Sequence, residues 1–254
     1  MSARYRTELV LPPDRGYVDL HSHYVPAVDD GVKSVDEGLA LVRGLGEVGF
    51  SMVVATPHIR TAMFENRAAP LRSAHAAFRE RAETEADLPV LDLGAEHYFD
   101  DVFWRLFEEG GALPYPGGRS ALVELPRERL PHGLAQAFFR MRVAGVTPVL
   151  AHPERYRPFF DATDDMDPLL DVGVVPLLDI MSLTGKYGKK PQEAAERMLD
   201  EGVYYAACSD AHRPADAPVV GEAMALLERR VGREEKEFML GQGPRDILAG
   251  TIQD

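Results

Sequence analysis

The chain has 254 residues, 45% of them apolar, and a formal net charge of -13. That surplus of negative charge argues against nucleic-acid binding, which needs a basic face, and against docking on an anionic membrane. A single cysteine, Cys208, excludes an internal disulfide framework and any multi-cysteine zinc site.

The N-terminal stretch MSARYRTELVLPPDRG lacks an apolar segment of signal-peptide length. No run approaches the roughly 18 apolar residues of a membrane span, so a cytoplasmic protein is expected. YVDLHSH reads as a strand. SVDEGLALVRGLGEVG follows as a helix, with Ser34 as N-cap and Glu37 completing a capping box. SMVVATPH is a strand, PLRSAHAAFRERAETE a helix, and LPVLDLGAEHYF and SALVELP are strands separated by the loop GGALPYPGG. The helix LPHGLAQAFFRMRVAG leads to the strand TPVLAHPER, a short helix near PLLDVG and the strand VVPLLDIMSL. The helix KKPQEAAERMLDEG, the strand VYYAACSDAH and one long helix, VVGEAMALLERRVGREEKEFML, complete the pattern. About seven strands with helical crossovers predict one α/β domain with a parallel sheet, closed as a barrel or open and doubly wound.

Strands covered on both faces should be apolar throughout, yet these end in ligand-type side chains. His21 and His23 stand at i and i+2, so they leave one face of a strand and converge. Further strands end in His58, in Glu96 with His97, in Glu124, in His152 with Arg155 beyond, and in Asp210 with His212. In a β/α barrel the strand C-termini share one rim. Together with Asp30 from the first loop, the imidazoles and carboxylates gathered there suit a centre of more than one metal ion. His97 should face away from Glu96 and is left out of this set. His75 and His132 are expected to face solvent.

The segments DLHSHYVPAVDDG, ATPH, GAEHYF, LVELP, LAHPERY, SLTGKYG and CSDAH, in this order, resemble the PHP (polymerase and histidinol phosphatase) superfamily. Within it the chain is most similar to the bacterial capsule-associated CpsB/CapC tyrosine phosphatases, from about Tyr17 to GPRDILAG. The resemblance implies a distorted (β/α)7 barrel, taken as a single domain over 1–254. It implies three divalent ions, manganese or iron with zinc as a further option, held by His21, His23, Asp30, His58, Glu96, Glu124, His152, Asp210 and His212. It implies a phosphate-holding role for Arg155, with Arg155, Asp210 and His212 as catalytic residues. The family often carries a second arginine where this chain has Ala217; Arg213 is the expected substitute. Asp179 stands where relatives often have asparagine.

The implied reaction is hydrolysis of phosphotyrosine in a protein, such as a bacterial tyrosine autokinase tail in capsule or exopolysaccharide control. The alternatives are a small-molecule phosphatase, acting for example on histidinol phosphate, and a non-catalytic metal-binding regulator. Self-association into a homo-oligomer stays open. Cys208 is not expected to act as nucleophile: C-S-D-A-H-R is one residue short of the cysteine-phosphatase spacing, and AAC lies in an apolar strand. Tyr98, Phe99, Phe103 and Trp104 either frame the mouth or pack a helix on the barrel.

Overall fold

The computed structural model describes Tyr5 and residues 14–252. The reading of a leaderless N-terminus falls largely outside the described residues, as do the ends of the expected 1–254 domain. In chain order the elements are β1 (Tyr17–Ser22), α1 (Val35–Glu47), β2 (Phe50–Ala55), β3 (His58–Ile59), α2 (Ala68–Ala82), β4 (Val90–Leu93), β5 (Glu96–Tyr98) and α3 (Asp101–Glu109). There follow β6 (Ser120–Glu124), α4 (Leu134–Val143), β7 (Thr147–Ala151), α5 (Asp167–Leu170), β8 (Val175–Asp179), α6 (Lys189–Asp200), β9 (Ala206–Cys208), α7 (Asp216–Val231), α8 (Arg233–Glu237) and α9 (Gly243–Ala249).

All strand pairs are parallel, in a sheet β1-β2-β4 and a sheet β3-β5-β6-β7-β8-β9. The two runs expected as single strands, SMVVATPH and LPVLDLGAEHYF, each break and pass from the first sheet to the second. Pro57 offers no N–H to continue a ladder, and Gly94 N donates to Ala55 O instead (2.8 Å). Each broken run still serves as one stave, which gives the distorted seven-stave barrel. Closure comes where the chain after β9 meets β1: Asp210 N donates to His21 O and His23 N to Ala211 O, both at 2.9 Å.

Inside the staves Val18, Leu20, Met52, Val54, Leu122, Val149, Leu177 and Cys208 pack as one layer, and Ile247 and Leu248 of α9 join it. Each such side chain contributes about 1.5–3 kcal/mol by leaving water. Ser120 Oγ ties α9 to β6 through Ile247 O (2.7 Å). The barrel is therefore filled, and its open, functional end is the C-terminal rim.

Local chemistry explains the helix ends. Ser34 Oγ caps α1 by accepting from Glu37 N (3.2 Å), while the Glu37 carboxylate reaches back to Lys33 N (2.7 Å), one residue earlier than in the expected box. The single long C-terminal helix is not observed. It divides at Gly232, whose φ of 86° lies in the left-handed region. The aromatic run after β5 builds α3, capped by Asp100 (Phe103 N to Oδ1, 2.8 Å), with Phe103 and Phe107 buried. Among the described residues no helix is long and apolar enough to cross a membrane.

Candidate metal centre

His21 and His23 leave β1 on one face, and their Nε2 atoms approach to 3.2 Å. The loop that follows folds directly back on them. Asp29 Oδ2 accepts from His23 Nδ1 (2.8 Å) and from His58 N (3.1 Å), so the His23 ring turns its Nε2 inward. Gly31 makes that return feasible: a Cβ there would stand 2.3 Å from His23 O and 2.6 Å from His23 Cβ. Asp30, next along, stays half-exposed, with Oδ1 at 3.4 Å from His58 Nε2 and 3.5 Å from His212 Nε2.

The second sheet supplies the rest. Glu96 of β5 lies between His58 Nδ1 (2.9 Å from Oε2), His21 Nε2 (3.3 Å from Oε2) and His152 Nε2 (2.9 Å from Oε1). Asp210 Oδ1 is 3.1 Å from His21 Nε2 and 3.3 Å from His23 Nε2. His212 Nδ1 donates to Asp210 O (2.8 Å), which turns its Nε2 toward Asp30. His152 and Asp210 take left-handed backbone conformations (φ 34° and 48°) that residues other than glycine rarely adopt, a local strain that recurs at functional positions. Four overlapping groups result: His23–Asp30–His58–His212, His21–His23–Glu96, His21–His152–Asp210 and His58–Glu96–Glu124, each with candidate ligand atoms within 4.8 Å. Every residue expected from the strand ends, and Asp30, is in one of them.

Electrostatics indicate what such a cluster would accept. Burial would lower the His21 and His58 imidazoles, but Asp210 and Glu96 raise the first and Glu96 raises the second well above its ordinary value. His212, against the pull of burial, is raised to about 9 by Asp210. Glu124 is pushed up to about 7 by burial and by the Glu96 charge. His152 falls to about 4 through burial and Arg155. The buried atoms His21 Nδ1, His58 Nδ1, His152 Nδ1, Glu96 Oε2, Glu124 Oε2 and Asp210 Oδ1 make no hydrogen bond; the close His58–Glu96 approach lacks the alignment for one. Buried carboxylate oxygens without donors are costly. Protons held on imidazoles are replaceable by cations, because metal ligation needs the neutral ring and the ionised carboxylate. Nitrogen and oxygen donors in this proportion fit divalent transition metals.

Around the cluster opens a cleft of about 510 Å³, walled by Arg60, Met63, Phe64, Tyr98, Arg127, Arg129 and Arg155 among others. Arg155 Nη1 contacts Asp210 Oδ2 (2.5 Å) and Asp179 Oδ2 (3.4 Å), and its guanidinium lies 4.4 Å over the Tyr187 ring. Buried Asp179, raised to about 7 by burial and Asp210, also accepts from Met181 N (2.9 Å). Arg213 is exposed and outside the residues lining the cleft, because its backbone N–H joins that of His212 on Asp216 Oδ2 and starts α7 there. Ala217 is buried against Gly44, leaving no room for a longer side chain. Cys208 lies below the site, its Sγ donating to Leu178 O (3.3 Å), and burial holds its thiol well above the usual range.

Of the four aromatics Tyr98, Phe99, Phe103 and Trp104, Tyr98 alone lines this cleft; Phe99, Phe103 and Trp104 pack against one another, α4 and Phe107. His97 is buried outside the four groups, Nδ1 donating to Leu122 O (3.0 Å) and Nε2 accepting from Leu113 N (3.1 Å). His132 is exposed, as expected, though it lies in the turn before α4. His75 is not solvent-facing: it is buried in α2, with Nε2 2.9 Å from the Tyr24 hydroxyl. Three contributors were not foreseen. Asp29 orients His23; Asp19 accepts from Ser209 N (2.9 Å) and Ser209 Oγ (2.5 Å), binding β1 to the loop of Asp210; and the arginines of the Arg60 and Arg127–Arg129 loops line the cleft.

The family model for capsular polysaccharide synthesis proteins CpsB/CapC matches residues 17–249. The chain is similar to the tyrosine-protein phosphatase YwqE of Bacillus subtilis (strain 168), 27% identical over 234 residues that cover 91% of each chain. It is similar to the tyrosine-protein phosphatase CpsB of Streptococcus pneumoniae, 26% identical over 241 residues, 92% of this chain and 99% of the relative. It superposes with a TM-score of 0.83 and 25% identity on a crystal structure from work on YwqE and CpsB of those organisms, described as metal-dependent tyrosine phosphatases; the match covers 91% and 94% of the two chains. An organophosphorus hydrolase from Deinococcus radiodurans shares the barrel fold alone (TM-score 0.53, 16% identity, 96% and 98% of the chains).

Proposed function

The chain belongs to the CpsB/CapC family, and on that premise we propose that it is a metal-dependent protein-tyrosine phosphatase. The single observation that carries the reading is the rim cluster: histidines and carboxylates from β1, β3, β5, β6, β7 and the end of β9 converge within ligand distance beneath an arginine-lined cleft. His21, His23, Asp30, His58, Glu96, Glu124, His152, Asp210 and His212 would hold three divalent ions, manganese or iron with zinc as the further option. The ions supply Lewis acidity and ease the deprotonation of water near neutral pH.

The chain's own groups do the remainder. Arg155 neutralises phosphoryl oxygens as charge shifts during transfer. Asp29 and the Asp210 carbonyl fix the His23 and His212 tautomers, so that ring nitrogens do not have to reorient during turnover. Tyr98, Met63 and Phe64 offer apolar surface at the mouth for a phenyl ring. Tyrosine, with a phenol pKa of about 10, leaves with less protonation help than an alkyl alcohol. Cys208, buried and held as a thiol, takes no part. The substrate we propose is a phosphotyrosine-bearing tail of a bacterial tyrosine autokinase, in capsule or exopolysaccharide control.

The test is metal analysis beside turnover on a phosphotyrosine peptide and on histidinol phosphate, before and after chelation. Loss on chelation, recovery with manganese or iron, and preference for the peptide are expected. Peptide turnover that survives complete chelation would refute the proposal.

A further inference from the structure

A phosphoryl group entering the cleft needs positive charge that is not already spoken for. Arg155 is largely committed, since its Nη1 contacts both Asp210 and Asp179 and its side chain is only 11% exposed. Arg213 is exposed and does not line the cleft, and position 217 is a close-packed alanine. On the β3 side of the same cleft, Arg60 is less committed. Its side chain is 30% exposed, and its ion pair with Glu124 Oε2 is long, at 3.7 Å from Nη1, beyond hydrogen-bond length. Its guanidinium lies over Tyr98, Cζ at 4.1 Å from the ring centroid. Its backbone is pinned as well: Arg60 N donates to Phe64 O and Phe64 N to Arg60 O, both at 2.9 Å. A planar fork of N–H donors on a rigid shelf matches two oxygens of a phosphate.

We propose that Arg60, seated on Tyr98, is a second phosphate-gripping guanidinium of this cleft beside Arg155. The inference rests on the phosphatase reading for its purpose, but phosphate binding tests it without turnover. The experiment titrates manganese-loaded protein with inorganic phosphate by calorimetry and measures phosphate inhibition of p-nitrophenyl phosphate hydrolysis. It compares wild type, Arg60→Ala, Arg60→Lys, Tyr98→Leu and Arg213→Ala, with bound manganese quantified in each.

Loss of one charge-assisted pair should weaken phosphate binding by about ten- to a hundredfold in Arg60→Ala at full manganese content. Arg60→Lys should recover part of it, and Tyr98→Leu should lose less than Arg60→Ala. Unchanged phosphate affinity in metal-replete Arg60→Ala overturns the inference. So does a loss that merely follows manganese loss, which would make Arg60 a support for Glu124, and so does a larger loss in Arg213→Ala. Wild-type protein that binds phosphate through Arg60 yet fails to hydrolyse a phosphotyrosine peptide would sink the phosphatase reading and leave this one standing.

Discussion

Asp29→Asn changes one oxygen for an amide nitrogen in a buried carboxylate that lies outside the four candidate ligand groups. Asp29 accepts from His23 Nδ1 at 2.8 Å and His58 N at 3.1 Å on one oxygen, and from Gly31 N at 2.9 Å on the other. An asparagine must aim its N–H₂ at one of these sets of donors. The cheaper orientation sacrifices Gly31 and leaves a buried N–H unpaired, costing about 1–3 kcal/mol. For a chain of this size that corresponds to a fall in Tm of roughly 2–10 °C. His23 also loses its charge-assisted partner and with it part of its fixed aim, and such orienting groups are typically worth about 10–100-fold in metal affinity. Scanning calorimetry of the chelated protein and manganese titration against a competing chelator measure the two effects separately. A variant that keeps the wild-type Tm and manganese affinity would refute the claim that Asp29 orients the centre.

Cys208→Ser should keep most of the turnover, because a hydroxyl can still donate to Leu178 O; loss of turnover in folded, metal-replete protein would restore the thiol as a candidate nucleophile. In chelated protein, His21, His58 and His212 bind protons more tightly folded than unfolded. Their stabilisation is complete below about pH 6.5 and is lost as pH rises through the folded values, for His212 about 9. The Tm of chelated protein should therefore fall over that range, and the manganese-loaded protein, whose ligands carry no protons, should not follow it. His75 and His97 are each lowered to about 4, chiefly by burial. The unfolded state takes up those protons first as pH falls from about 6.5, so each costs up to about 3 kcal/mol by pH 4. His75→Gln should flatten the acid limb of a denaturation-versus-pH series.

The parallel α/β pattern and its rim were legible because apolar runs ended in side chains that have little reason to be buried except at a site; closure as a barrel rather than an open sheet came only from the resemblance. The break in two staves was hidden because SMVVATPH and LPVLDLGAEHYF each read on as one strand, although Pro57, which has no ladder N–H, and Gly94, an isolated glycine in a strand pattern, mark the two crossings. Of the adjacent carboxylates Asp29 and Asp30, the sequence pointed to Asp30 for the rim, but nothing in it showed that Asp29 turns back onto His23. The burial of His75 follows from the helix period: it stands four residues after Leu71 and three before Phe78, on the buried stripe of α2. The role proposed for Arg60 has no such signal in the sequence, because a loop arginine acquires direction only from the ring beneath it.

The seam that shuts the barrel runs through the reactive pocket itself. Ser22 and Ala211, bridged there, are 189 positions apart along the polypeptide, so this is among the last pairings that a chain folding from local contacts can make. Until the final stave docks, His21 and Asp210 cannot share an ion, and a truncated or still-emerging chain has no competent pocket. A cation spanning them would rivet the first stave to the last, so loading the centre and completing the fold become one event.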